Sequence, residues 1–177
     1  MPKSIISIPL TFDIPLLYWR GIFIIFFMRK TYIIILVLCA IAFVNASYLS
    51  YHAYAFWFAD NAEALRSLPC DLSETLSCSG ILSNPRALIF GIPFPMIAMV
   101  VYPVLFALAL SGYIRKSLTE MKVITIMAIM GMCFNGYVIS QEIIISVFCP
   151  LCAMCTAIIV TIAILAGYRW KKGLQKS

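Results

Sequence analysis

Charged residues are scarce in this chain of 177 residues: Asp, Glu, Lys and Arg make up 11% of it, whereas hydrophobic residues make up 63%. A soluble domain carries about 25% charged residues, so the composition excludes an ordinary soluble protein. Internal repeats, low-complexity runs and Gly/Ser linkers are also missing. The mean hydropathy of +1.01 indicates a membrane protein, and the length leaves no room for a second, soluble domain. We therefore predict an all-α integral membrane protein.

Four apolar runs are long enough to cross a membrane as helices. They cover residues 31–51, 92–113, 123–146 and 150–168. Residues 14–28 are apolar too, but Arg20 interrupts them, which predicts an interfacial segment rather than a fifth span. We thus expect a four-transmembrane-helix bundle at 31–168, between an N-terminal segment at 1–30 and a basic tail at 169–177.

The formal net charge of +6 predicts an orientation. Lys and Arg residues of a multi-pass protein collect on the cytoplasmic side, so this charge does not call for a nucleic-acid partner. Basic residues precede the first span, fill the 114–122 turn and follow the fourth span, whereas the loop at 52–91 also carries acidic residues. Both termini are therefore expected in the cytoplasm. The 52–91 loop, here called the lid, and the 146–150 turn are expected outside.

The lid is expected to fold back over the mouth of the bundle. Apolar residues at helical spacing predict a short helix over His52–Leu68, which Pro69 ends. A second short helix is expected to begin at Asn84-Pro85, because proline suits the first turn of a helix.

Four of the seven cysteines form two pairs on the predicted outer side. Cys70 and Cys78 lie in a polar part of the lid, and Cys149 and Cys152 form a Cys-Pro-Leu-Cys motif where the fourth span begins. Thiol–disulfide exchange between water and the membrane needs one pair that faces water and one that faces the membrane. The cysteine pattern therefore predicts electron transfer between soluble thiols and a carrier dissolved in lipid.

Local sequence supports the chemistry of the second pair. Cys149 is expected at the N-cap of the fourth helix and Pro150 at its first position, so that the positive end of the helix favours a thiolate. Cys152, one turn deeper, is expected to face the apolar interior. The alternative is that these cysteines are merely small buried hydrophobes. For Cys70 and Cys78 the alternative is a structural disulfide.

Both motifs resemble the vitamin K epoxide reductase family, and in particular its bacterial members. The resemblance rests on Cys-Asp-x-x-x-x-x-Ser-Cys-Ser at 70–79, followed by Cys-x-x-Cys at the start of the last of four spans. It implies a quinone-dependent thiol oxidase of the bacterial inner membrane, a functional analogue of the DsbB oxidases. Its expected cofactor is ubiquinone or menaquinone. Its expected partner is a separate periplasmic thioredoxin-fold protein, DsbA-like in function.

The resemblance also implies a role for each site residue. Cys70 would form the mixed disulfide with the partner, and Cys78 would then attack Cys149. This would release Cys152 to pass two electrons to the quinone. Gln141 resembles a glutamine of bacterial members and is expected to donate to a quinone oxygen, with an interhelical hydrogen bond as the alternative.

The sequence also supports expectations for several other residues. Thr156 stands where the vertebrate enzymes have a tyrosine that holds the naphthoquinone, so epoxide reduction is not expected. Asn135 is expected to link helices, Glu142 to have a partner or be neutral, and His52 to be interfacial. Packing roles are expected for the remaining cysteines, namely Cys39, Cys133 and Cys155.

Two further functions stay open at this point. The same fold could reduce vitamin-K-type quinones with electrons from a thioredoxin-like donor. Alternatively, the chain could be a non-catalytic four-span scaffold with one structural disulfide in the lid, although such a scaffold would not need Cys-Pro-x-Cys at a helix mouth.

Overall fold

The computed structural model describes residues 14–59, 61–65, 68–115 and 118–175, and within these ranges it describes side chains from residue 29 onward except at positions 62, 118 and 174. The α-helices are α1 (Ile14–Phe58), α2 (Cys78–Leu82), α3 (Phe94–Arg115), α4 (Leu118–Ile144) and α5 (Pro150–Leu174). Two 3-10 helices cover Ala62–Leu65 and Pro85–Ala87. A small antiparallel hairpin pairs β1 (Leu88–Ile89) with β2 (Ile92–Pro93).

Four helices are long and apolar enough to cross a membrane. They are Arg29–Phe58 within α1, Phe94–Arg115, Thr119–Ile144 and Pro150–Gly173. The prediction of an all-α four-helix membrane bundle is therefore confirmed. α1 packs against α3 and α5, and α4 packs against the same two helices, so the four spans close around one core. Fully buried Ile35, Leu105, Ile124 and Ile162 lie at its centre.

The beginning of the lid differs from the prediction. Among the described residues of 52–68, no separate α-helix forms, because α1 runs on to Phe58 and Ala62–Leu65 makes a 3-10 turn. The prediction was wrong because no glycine or proline separates residues 44–58, so the helical pattern of the lid simply continues α1. At its other end α1 begins at Ile14, within the predicted interfacial segment. A location of that part in the membrane interface stays a prediction.

The rest of the lid follows the expected turns. Asn84 caps the 3-10 helix at Pro85 by accepting the Arg86 N–H, as predicted. Phe90 and Gly91 have positive φ angles of 53° and 80°. A two-residue hairpin turn favours this conformation at both positions, and it returns the chain to the bundle at the start of α3.

The lid is fastened to the α4–α5 connection by backbone hydrogen bonds. Leu76 and Phe148 form an isolated parallel bridge. The Ser77 N–H donates to the Phe148 carbonyl at 3.1 Å, and the Phe148 N–H donates to the Thr75 carbonyl at 2.8 Å. Cys78 and Cys149 follow directly after these bonded segments, so the bridge places the two cysteines side by side.

Candidate functional site

All four paired cysteines lie in one buried cluster at the lid end of the bundle. The exposed fraction is 6% for Cys70, 0% for Cys78 and Cys149, and 6% for Cys152. They share a hydrophobic core with apolar residues of the lid and of the helix ends, including Leu49, Leu65, Leu68, Ile81, Leu82 and Phe94. The structure therefore brings together the cysteines that the sequence singles out.

Within this cluster the two pairs are in different redox states. Cys70 and Cys78 form a disulfide, whereas Cys149 and Cys152 are free thiols. The sulfur atoms of Cys149 and Cys78 are 3.3 Å apart. Thiol–disulfide exchange proceeds by direct attack of one sulfur on another, and this contact is the place where the pairs can exchange.

The first pair does not face water, contrary to the prediction. The polar composition of residues 70–79 suggested an exposed pair. In the structure Asp71, Ser73 and Glu74 turn toward solvent at least in part, while both sulfur atoms point into the apolar core of the lid. A polar segment can therefore carry buried sulfur atoms, because neighbouring side chains point in different directions.

The start of α5 has the predicted geometry. Cys149 is the N-cap with an extended backbone, φ −100° and ψ 109°, and Pro150 opens the helix. The Cys149 sulfur accepts the Cys152 N–H at 3.2 Å. This sulfur thus occupies the position at which the unpaired N–H groups of a helix N-terminus are directed.

Asp71 secures the short helix α2, which carries Cys78. Its Oδ1 accepts the Ser79 N–H at 3.0 Å and the Ser77 hydroxyl at 2.8 Å. Partial burial raises the pKa of Asp71, but hydrogen bonds from Ser79, Ser77 and the Cys78 N–H outweigh it, so its pKa lies below the usual range. The ionised carboxylate therefore stabilises the folded lid.

We expect this contribution to depend on pH. Because the folded pKa is lower than the unfolded pKa of about 3.9, the stabilisation is fully present above that value and is lost as pH falls through the folded pKa. Asp71→Asn should open the helix α2 more often even at neutral pH, since hydrogen bonds to a charged group contribute about 1.5–3 kcal/mol. Hydrogen exchange of residues 78–82, corrected for intrinsic rates, measures this between pH 6 and 3.

Glu74→Gln is the matched control for that experiment, because Glu74 is an exposed acid in the same loop. It should retain the pH dependence of the wild type. An unchanged pH dependence in Asp71→Asn would contradict the role given to this carboxylate.

An apolar cavity of about 240 Å³ lies between the four spans. Cys152 lines it, as the sequence predicts, together with Leu49, Phe94, Tyr102, Phe134 and Asn135. Pockets for drug-sized ligands begin at about 300 Å³, so this cavity suits a single compact ring system. The cavity can thus place a small apolar ligand beside the Cys152 sulfur.

Asn135 has two roles, and the sequence indicates only one of them. Its Oδ1 accepts the Thr156 hydroxyl at 3.0 Å, which links α4 to α5 as predicted. Its Nδ2 donates to the Gly131 carbonyl at 2.9 Å. The amide has two N–H groups, and the side chain lines the cavity, so its second N–H can serve a ligand there.

Gln141 lies away from this cavity. It lines a separate small pocket beneath the lid with Arg86, Ile89 and Tyr137. The Arg86 guanidinium donates to its Oε1 at 3.5 Å, a weak contact. The contact predicted between Gln141 and a quinone stays a prediction.

The neighbouring residue, Glu142, is the site residue whose role the sequence does not reveal. Its side chain is 4% exposed, and its carboxylate and the sulfur atoms of Cys149 and Cys152 all lie within 4.8 Å of one another. The spacing of seven positions predicts that Glu142 lies about two helical turns below Cys149. However, the Val147 N–H donates to the Glu142 carbonyl, and this tight turn brings the last turn of α4 level with the first turn of α5.

The other cysteines and the histidine lie outside the cluster of the four paired cysteines. Cys39 is buried in the bundle core, as predicted, whereas Cys133 is exposed on α4 and does not pack. Cys155 is buried beside the cavity, and its sulfur accepts the Asn45 amide at 3.1 Å. The His52 ring contacts the Ala64 carbonyl and so ties α1 to the lid.

Comparison with known proteins places this site in a family. The family model described as the vitamin K epoxide reductase family matches residues 33–167, which include both cysteine pairs and all or most of each of the four spans. No curated protein and no solved structure matches the chain significantly. Because the match covers most of the sequence, the chain belongs to the vitamin K epoxide reductase family, whose members are oxidoreductases.

Proposed function

We propose that the protein is a quinone-dependent thiol oxidase that makes disulfides and passes them to a thioredoxin-fold protein. The contact of 3.3 Å between the sulfur atoms of Cys78 and Cys149 supports this most directly. It joins the lid disulfide to a thiol pair whose second member, Cys152, lines the apolar cavity. Electrons can therefore pass from lid to cavity by two sulfur exchanges.

Each thiol–disulfide exchange breaks one sulfur–sulfur bond and forms another. A thiolate of the reduced partner attacks Cys70, the Cys70–Cys78 bond breaks, and a second partner thiol then releases Cys70. When Cys149 and Cys152 are joined, Cys78 attacks Cys149 and frees Cys152. Cys70 finally attacks Cys78 and frees Cys149. This restores the state in the structure, with a lid disulfide and two reduced thiols at the cavity.

The cavity fits a quinone ring in size and chemistry. Its lining is almost entirely apolar, with the aromatic rings of Phe94, Phe134 and Tyr102 to pack against a planar ring. Asn135 lines the cavity, so its second N–H can donate to a ring oxygen. A bound quinone would accept two electrons and two protons from the pair of Cys149 and Cys152.

Burial of the lid pair adds a requirement for the partner. Cys70 is 6% exposed, so a protein thiol cannot reach its sulfur while the lid is closed. The lid must move during each reaction with the partner. Its fastening by backbone bonds at Leu76 and Phe148, rather than by an extended sheet, makes such movement feasible.

We further propose that the protein lies in a bacterial inner membrane with both cysteine pairs on the extracytoplasmic side. The lid and the α4–α5 turn share one end of the bundle. The α3 and α5 helices both begin at that end and carry Arg115, Lys171 and Lys172 in their last turns, at the other end. This separation agrees with the positive-inside rule.

Turnover by the purified protein tests the proposed function. The protein in nanodiscs is mixed with a reduced thioredoxin-fold protein and either ubiquinone-1 or menadione. One quinol should form for each disulfide made in the donor. If neither quinone is reduced by protein that retains its Cys70–Cys78 disulfide, the proposed function is wrong.

A further inference from the structure

Glu142 is a buried acid that the sulfur relay does not use. It belongs to the membrane-spanning part of α4 and is 4% exposed. No basic side chain among the described residues pairs with it. An ionisable side chain within a membrane span is costly, and such residues mark proton or substrate pathways in many membrane proteins.

The groups around Glu142 are those of the reaction itself. The sulfur atoms of Cys149 and Cys152 both lie within 4.8 Å of its carboxylate, and its Oε1 has no hydrogen-bond partner among the described residues. These two cysteines are the titratable groups that face it from α5. The lid presents Thr75 and Leu76 to the same region, and neither titrates.

Glu142 also has a route toward the surface. It lines a second hollow, of about 470 Å³, together with Thr75, Leu76, Ser146 and Phe148. Thr75, Leu76, Ser146 and Phe148 are exposed. The carboxylate therefore stands between the Cys152 sulfur, which lines the quinone cavity, and the surface beside the lid.

We propose that Glu142 is the catalytic group that moves the proton of Cys152. This rests on the proposed function, which supplies the quinone as the electron acceptor. Before oxidation, the S–H bond of Cys152 breaks, an O–H bond forms on the Glu142 carboxylate, and the sulfur keeps the electron pair; Glu142 then gives this proton up as the quinone is reduced to the quinol. In the other half of the cycle, Cys78 attacks Cys149, the Cys149–Cys152 bond breaks, and the leaving sulfur of Cys152 receives, through Glu142, the proton that the Cys78 thiol loses.

Glu142→Gln tests this proposal, because the amide retains the size of the side chain but cannot exchange a proton in this way. Loss of a positioned acid or base slows a reaction by about 10²–10⁴-fold. We expect kcat with ubiquinone-1 to fall by that factor and KM to stay unchanged. The remaining rate should increase with pH, since hydroxide must then remove the proton. Glu142→Asp, which retains a carboxyl group, should recover much of the rate.

A second measurement uses no quinone. Protein with both disulfides formed is mixed with the reduced thioredoxin-fold donor, and alkylation follows the appearance of the Cys152 thiol. Glu142→Gln should slow this step as well. A slow exchange in a protein whose wild type reduces no quinone would support the proton transfer and overturn the proposed function.

If Glu142→Gln retains the wild-type kcat and pH profile while the wild type reduces quinone, the proton-transfer role is wrong and the oxidase stands. A rate loss that Glu142→Asp does not recover, with an unchanged pH profile, would assign Glu142 a structural role and also overturn the proposal. Intact Cys70–Cys78 disulfide in each variant shows that the lid has folded.

Discussion

A Cys152→Ala variant is expected to lose quinone reduction to the uncatalysed background while it retains its fold. Cys152 is the sulfur that lines the cavity, so its removal leaves Cys149 with no partner for a second disulfide. Enzymes accelerate reactions by at least about 10⁶-fold, and the loss should approach the whole enhancement. The rate of quinol formation, with the reduced thioredoxin-fold donor in excess, measures it.

Without reduced donor, the same variant should exchange part of its Cys70–Cys78 disulfide for one between Cys78 and Cys149. Their sulfur atoms are 3.3 Å apart, and with no Cys152 thiol to displace Cys78 from Cys149, only Cys70 can reverse the exchange. Proteolysis without reductant, followed by mass spectrometry, should find the two peptides joined. Cys133→Ala is the matched control, because Cys133 is an exposed cysteine of α4 outside the cavity; it should turn over normally. Normal turnover by Cys152→Ala would remove this residue from the mechanism.

A Cys78→Ala variant is expected to lose turnover with the protein donor but to retain part of its turnover with a small dithiol. Cys78 is the lid cysteine whose sulfur contacts Cys149, so without it Cys70 has no sulfur through which to pass electrons. Dithiothreitol is small enough to reach Cys149 when the lid opens. Quinol formation with each donor in turn measures the two routes.

Cys70→Ala provides the comparison for this experiment. It should also lose turnover with the protein donor, because the proposed mixed disulfide forms at Cys70. If Cys70→Ala, Cys78→Ala and Cys152→Ala all lost quinol formation equally with both donors, the lid cysteines and the bundle cysteines would not have the separate roles proposed here. Full turnover of Cys78→Ala with the protein donor would mean that the partner reaches Cys149 directly.

The sequence predicts the overall fold of this protein well, because the number and position of its membrane helices depend on composition and local pattern. Apolar length predicts the four spans, and proline after Cys149 predicts the start of α5. The two cysteine motifs are specific enough to predict the family. Each of these signals lies within a few consecutive residues, where helix and membrane physics act directly.

The arrangement of the site depends on contacts that the sequence does not reveal. Gln141 and Glu142 are adjacent, yet consecutive residues of a helix point about 100° apart, and this rotation directs Glu142 to the thiols and Gln141 toward Arg86. The Leu76–Phe148 bridge joins segments far apart in the chain. The buried lid pair depends on the packing of Leu65, Leu68 and Ile81 around it.

The burial of all four sulfur atoms also restricts which thiols the protein can oxidise. A permanently open relay would oxidise any small thiol that diffused past, and the quinone pool would be drained without making protein disulfides. With Cys78 and Cys149 fully buried, a small thiol such as glutathione can react only while the lid is open. The rate of glutathione oxidation would therefore measure how often the lid opens. The ratio of the rate of partner oxidation to the rate of glutathione oxidation would measure how selectively the protein oxidises its partner.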